Sequence, residues 1–298
     1  MDVGLSFGDR LPDPHTRRLM TGAERHRMLV EAGALADQCG FVSFNIGEYN
    51  GLAGTTPSPA VILAAVAERT RRIHLGAAVP LAKLDALRVA EDYATLDALS
   101  DGRVELVVGR GNSFEVDSVA LFEESLDLLL QLWRGGPVEW VGSVRPPING
   151  ESLQPPPMQT ARPPVWVGVG GSPETAVLPA RLGLKLMLPS ALGAEDGLRE
   201  VVDRYLDSYV PGVPDDAPHI GGCWQVNVAT TSQRARATES GPAIVGSPAE
   251  VADRLCSLAE LLTLDTHLLG IDIDGVAEEE CLAMIELFAT DVLPRLER

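Results

Sequence analysis

Two stretches carry residue types that can hold an anion. The first is Gly168-Val169-Gly170-Gly171-Ser172-Pro173-Glu174-Thr175. Its glycines end an apolar run, and Ser172 opens a segment with helical spacing. Backbone N–H groups at a helix start, with the Ser172 and Thr175 hydroxyls, can hold a phosphate. Taken alone this signal is weak, because a Gly-Gly-Ser-Pro start is more often an ordinary N-cap. It is neither a GxGxxG fingerprint nor a P-loop, because no Gly-Lys-Ser/Thr follows. The second stretch is Val107-Val108-Gly109-Arg110-Gly111. The Arg110 guanidinium could complete a phosphate site, or it could pair with Glu115 or Asp117. No Lys or Asp is arranged for phosphoryl transfer, so the chemistry is that of a bound phosphorylated cofactor. Cys39, Cys223, Cys256 and Cys281 lack the spacing of a zinc or redox motif. The five histidines are equally dispersed, and no metal is expected.

The elements that must position these residues alternate along the chain. Short apolar runs at Val3–Phe7, Phe41–Ile46, Ile73–Val79 and Val104–Val108 read as strands. Helical spacing lies between them over Thr21–Gln38, Pro57–Arg71, Asp85–Leu99 and Val119–Trp133. Thr21 with Glu24 makes a capping box. Residues 137–164 hold eight prolines and read as an excursion, with a small hairpin around Val138–Val141. Alternation then resumes. The strands are Val165–Val169, Leu184–Leu188, Trp224–Ala229 and Thr266–Ile271; the helices are Ser172–Leu182, Ala194–Tyr209, Ser247–Leu262 and Ala277–Ala289. Thr230–Gly246 reads as a polar link. Eight strand-then-helix units favour a (β/α)8 barrel, with an open doubly wound sheet as the alternative. In such a barrel the active site lies where strands end. That rule selects Phe7-Gly8, Glu48-Tyr49-Asn50, Gly76-Ala77-Ala78, Arg110-Gly111, Gly170-Gly171-Ser172, Pro189-Ser190, Asn227 and Asp272–Asp274.

The chain has 298 residues and a net charge of −18. That charge repels phosphate backbones, and no basic run offsets it, so nucleic acid is not an expected partner. No apolar stretch approaches the roughly 20 residues of a membrane helix. The start, MDVGLSFGDR, lacks the pattern of a secretion signal, which points to the cytoplasm.

The segment LGAAVPLAKLDALRVAEDYATLDALSDGRVELVVGRG, Leu75 to Gly111, resembles the bacterial-luciferase-like flavin oxidoreductases. GFVSFNIGEYN, RPPVWVGVGGSPETAVLPARLGLKLML, GSPAEVADRL and LFATDVLPRL extend the likeness over nearly the whole chain. The resemblance implies one TIM-barrel domain over residues 1–298. It implies an FMN-dependent monooxygenase, using dioxygen and reduced FMN from a separate flavin reductase to oxygenate a small organic substrate. It places the FMN phosphate on Arg110, Ser172 and Thr175, beside Gly170 and Gly171. Ala77-Ala78 matches a pair joined by a non-proline cis peptide behind the flavin ring. Glu48, Tyr49 and Asn50 would line the reacting face. Arg103 reads as structural, and the Glu91–Asp97 region as helix packing and surface. Coenzyme F420 is the alternative cofactor, and a catalytically degenerate partner subunit the alternative role. Many monooxygenases of the family carry Glu-His-His where this chain has Glu48-Tyr49-Asn50, and the Asp-His of many deazaflavin enzymes is absent too. The loops after Gly111 and over Thr230–Gly246 are short for the family, which implies a more open mouth. A homodimer through the apolar face of Pro57–Arg71 is expected.

Overall fold

The computed structural model describes the chain except residues 10–17, 50–54, 112–117, 144, 190–194, 213–216, 238–243, 273–275 and 297–298, and the side chains of Glu278 and Glu279. Eight parallel strands close on themselves: β1 (Asp2–Phe7), β2 (Ser43–Gly47), β3 (His74–Pro80), β4 (Val104–Gly109), β7 (Val165–Gly168), β8 (Lys185–Leu188), β9 (Ile220–Val228) and β11 (Thr266–Gly270). The ring is complete because β9 pairs with both β8 and β11, and β11 with β1. The intervening β5 (Val138–Trp140) and β6 (Ile148–Glu151) form the antiparallel hairpin of the Pro-rich excursion.

Helices return the chain between strands: α1 (Gly22–Cys39), α2 (Pro59–Arg69), α3 (Ala86–Leu99), α4 (Ser118–Trp133), α5 (Val177–Arg181), α6 (Glu195–Ser208), α7 (Ser232–Arg236), α8 (Pro248–Leu262), α9 (Glu278–Leu287) and α10 (Leu293–Leu296). Local chemistry fixes their starts. Thr21 and Glu24 close the expected capping box on α1, Asp85 accepts from Leu87 N on α3, and Ser247 with Glu250 boxes α8. Among the described residues no helix is long and apolar enough to cross a membrane.

The main core lies between strands and helices, where Leu5, Phe7, Phe44, Ile46 and Ala77 are fully buried. A separate cluster, Trp166, Met187 and Leu268 with Val107 and Cys223 against it, fills the barrel interior. Elsewhere inside, polar side chains lie over glycines of the next strand. Asn45, 1% exposed and donating to Ser43 Oγ at 3.0 Å, occupies the place where a residue at 76 would carry its Cβ. Gly76→Ala should therefore destabilise the fold by about 1–3 kcal/mol through overpacking. Urea denaturation checks this, and the double variant with Asn45→Ala should recover part of the loss.

Four expectations need correction. The Ser172–Leu182 helix is split into a 3-10 turn, Pro173–Ala176, and α5, because Pro179 has no N–H to continue the ladder. The Thr230–Gly246 link contains α7, capped by Thr231, and a strand β10 (Ile244–Gly246) parallel to β9, built from β-branched residues. Strand β9 starts at Ile220, four residues before Trp224, because Met187, Trp166 and Trp224 fill the space over Gly221 and Gly222. The last helix passes into a π-turn at Phe288–Val292 before α10.

Arg103 is structural, as expected. Its guanidinium donates to Ser100 O, Thr70 Oγ1 and Ile73 O at 2.7–3.0 Å, tying α2 and α3 to the strand starts. Asp97 is buried and accepts from Val104 N, Met158 N, Gln159 N and Gln159 Nε2, which anchors the end of the Pro-rich excursion.

Candidate active site

The C-terminal ends of the strands bring together two groups of residues. On one side, β4 and β7 are neighbours, with Val108 opposite Val167. The Gly168 carbonyl oxygen lies 3.6 Å from where a Cβ on Gly109 would sit. Arg110 and the Gly170-Gly171-Ser172 turn thus leave adjoining strands at the same end. Arg110 is exposed, and its guanidinium has no partner among the described residues. Glu115 and Asp117, the alternative partners, lie outside those residues. Gly171 faces open space, and Gly170 has only the Thr175 methyl near it, at 3.9 Å from where a Cβ would sit. The exposed Ser172 hydroxyl makes no capping bond, contrary to the plain N-cap reading. Thr175 Oγ1 donates to Ser172 O at 2.6 Å, which fixes the turn. A guanidinium, a hydroxyl and an unobstructed glycine turn, at the same end of adjoining strands, are donor types that a phosphate accepts from.

The opposite side of the mouth is built on an ion pair. Arg25 Nη2 lies 2.5 Å from Asp272 Oδ2, with the two side chains 1% and 6% exposed. Gly8 N donates to the same carboxylate oxygen at 2.8 Å, and Arg25 Nη2 donates to Gly8 O at 2.8 Å. The pair clamps the end of β1 to the end of β11. Burial pushes the Asp272 carboxyl up to about 6, against the pull of Arg25. The Tyr49 hydroxyl approaches within 3.5 Å of where a Cβ on Gly8 would sit. Burial, and then the charge of Asp272, raise the Tyr49 phenol above its ordinary value. The same causes push the Cys223 thiol up to about 11. Both groups are neutral at pH 7, so neither serves as a base or an ionised nucleophile.

Of the other expected site residues, Glu48 is half-buried and donates its N–H to Ala78 O at 2.9 Å. Tyr49 pairs with Thr56 in a bridge and is 44% exposed. Asn50, Ser190, Ile273 and Asp274 lie outside the described residues. The Ala77–Ala78 peptide is trans, a correction of the expected cis bond. Both residues sit in regular ladders to β2 and β4, which need no cis bond at a cost of about 3–4 kcal/mol. Strand alternation puts Ala77 in the helix-side core and Ala78 on the other face. Asn227 is buried and donates to Ala235 O, so it holds α7. Among the described residues, no group of three or more His, Cys, Asp or Glu is placed to hold a metal.

The sequence reading missed Arg25. The signal was present: Arg25, Met28, Leu29 and Ala32 share one helix stripe, and a cation inside an apolar stripe requires a buried partner.

Comparisons with known proteins agree with this architecture. Residues 5–239 match the family model of the luciferase-like monooxygenases. Among curated relatives, N-acetyl-S-alkylcysteine monooxygenase of Bacillus subtilis is 27% identical over 206 residues, 64% of this chain and 59% of that protein. An F420-dependent glucose-6-phosphate dehydrogenase of Rhodococcus hoagii is 29% identical over 212 residues, 64% and 59% of the two chains. The chain thus spans about three fifths of the length of the curated relatives it matches. Among solved structures, monooxygenase RslO1 from Streptomyces bottropensis superposes with a TM-score of 0.86 at 23% identity, covering 99% of both chains. The oxygenating constituent of 3,6-diketocamphane monooxygenase of Pseudomonas putida, in complex with FMN, gives 0.80 at 17% identity, covering 99% and 98%. The closed barrel and the match over most of its length make this chain a member of the luciferase-like monooxygenase family.

Proposed function

We propose that the protein is an FMN-dependent monooxygenase that takes reduced FMN from a separate flavin reductase and oxygenates a small organic substrate. The observation that carries this reading is the Arg110 guanidinium, unpartnered among the described residues, at the end of the strand adjoining the one that leads into the open Gly170-Gly171-Ser172 turn. When bound, reduced FMN supplies the electrons that activate dioxygen. The chain's own residues bind and orient. Arg110 and Ser172 hold the phosphate, with Gly170 and Gly171 admitting it at close range; Thr175, also expected on the phosphate, donates its hydroxyl to Ser172 O and shapes the turn instead. Ala78 and its neighbour Ala77 form the strand against which the ring lies. Glu48, Tyr49 and Asn50 line the reacting face. The neutral Tyr49 hydroxyl acts there as a hydrogen-bond donor and wall, not as a base. The Arg25–Asp272 clamp keeps that wall in place from behind.

The F420-dependent relative supports coenzyme F420 as a second reading. A homodimer in the cytoplasm completes the proposal. The groove between α2 and α3, with Val61 72% exposed and Leu99 53% exposed along it, supports pairing there. Anaerobic titration with reduced FMN and with reduced F420, followed by admission of oxygen with a substrate panel, tests the cofactor. Saturable FMN binding and an oxygenated product are expected. Binding of F420 alone, or of neither cofactor, overturns the reading, and tight FMN binding without turnover assigns a degenerate subunit.

A further inference from the structure

The Pro-rich excursion makes a second cavity outside the barrel mouth. It encloses about 420 Å3 between the start of α3, the first half of α4, and Trp140, Arg145 and Pro146 of the excursion. Leu84, Leu121 and Leu128 give it apolar walls. Trp140 and Arg145 close it from the excursion side. Trp140 is nine-tenths buried, and its indole N–H has no acceptor among the described residues. Arg145 is 19% exposed and leans on Asp85, with Nε 3.5 Å from Oδ1. Neither its Nε nor its Nη1 makes a hydrogen bond among the described residues.

The two carboxylates at the cavity already accept hydrogen bonds. Asp85 caps α3 through Leu87 N at 3.1 Å. Glu124 accepts from Ser143 N at 2.8 Å and from the Ser143 hydroxyl. The indole nitrogen of Trp140 and two guanidinium nitrogens of Arg145 are screened from water and left without an acceptor among the described residues. Buried donors of this kind ask for an acceptor. A planar guanidinium is best matched by a carboxylate, and leucine walls by hydrocarbon. Lys83, exposed at the rim, adds a second positive charge, so that Arg145 and Lys83 balance Asp85 and Glu124 around the cavity.

We propose that this cavity is a second ligand site, separate from the barrel mouth, for a small amphipathic carboxylate. Its carboxylate lies against Arg145 and the Trp140 N–H, and its hydrocarbon body against the leucines.

Titration of the full chain with octanoate, read by calorimetry and by tryptophan fluorescence, tests the proposal. Saturable binding is expected, with a fluorescence change that disappears in Trp140→Phe. Arg145→Gln should weaken binding about tenfold or more, as loss of a charge-assisted contact does. Ser125→Phe, which fills the cavity from α4 and leaves Arg145 in place, should weaken it as well. Circular dichroism and thermal melting confirm that both variants are folded. Octanol should bind at least about tenfold more weakly than octanoate, because it lacks the carboxylate. Absence of saturable octanoate binding overturns the proposal, as does unchanged affinity in either folded variant or equal binding of octanol. The readout does not involve FMN, so failure of the flavin assignment leaves the outcome intact.

Discussion

Arg25→Met should cost the fold about 3–5 kcal/mol near pH 8, the largest stability effect of any substitution considered for this chain. The reason is the partner left behind. Asp272 is 6% exposed, and Arg25 is the cation at 2.5 Å from it. Removing the guanidinium leaves a buried carboxylate with the Gly8 N–H still donating to it. The sign of the pH dependence follows. In the folded chain burial already holds the carboxyl up to about 6, whereas in the unfolded chain it titrates near 4. A raised acid binds its proton more tightly when folded. Its contribution to stability is therefore full below about pH 4 and lost as pH rises through about 6. Without Arg25 the carboxyl rises further. The variant's deficit relative to the unmodified chain should then be smaller near about pH 5.5 than near about pH 8. Urea midpoints at the two pH values measure it. The double variant Arg25→Met/Asp272→Leu should recover much of the loss, since no buried charge is stranded. Equal deficits at both pH values, with no recovery in the double variant, would remove the ion pair from the account of the mouth.

How much of this was legible before any coordinates follows from where each constraint is written. Period and punctuation are local, so the eight strands and most helix starts could be read directly. Thr21 with Glu24, Asp85, and Ser247 with Glu250 each fix a helix within four residues of chain. The tertiary complements could not be read that way. Gly76 becomes intelligible only when β2 lies beside β3 and Asn45 leans over it. Gly221 and Gly222 look like a break in the sequence, yet Met187 and Trp224 turn them into strand. Pro179 was visible, but whether it would end, kink or split its helix depended on packing. The site divides the same way. Arg110 and Ser172 were legible as strand-end residues because barrel topology alone puts β4 beside β7. Arg25 required knowing that α1 presses its buried stripe against the ends of β1 and β11, a contact between residues 247 positions apart.

Arg110→Gln should raise the dissociation constant for FMN about 10–100-fold, as expected for loss of a charge-assisted hydrogen bond to an anion. The effect should be confined to the phosphate. Riboflavin has the same ring and ribityl chain without the phosphate, so its affinity should be equal in the variant and the unmodified chain. That pairing separates a phosphate contact from general damage to the mouth, because a disordered β4 end would weaken both ligands. Arg110 is well suited to a clean test. It is exposed and has no partner among the described residues, so its loss strands no neighbour and should leave the melting temperature unchanged. Arg110→Lys should restore only part of the affinity, since an ammonium cannot give the paired N–H bonds of a guanidinium. Ser172→Ala should give a smaller loss, of about 3–10-fold, because it removes one neutral donor. Added salt should weaken FMN binding more in the unmodified chain than in Arg110→Gln, since screening acts on the charge that the variant lacks. Fluorescence quenching of each flavin on titration supplies all these constants. If Arg110→Gln weakens riboflavin as much as FMN, or neither, the guanidinium is not the phosphate ligand and the β4–β7 side of the mouth has another purpose.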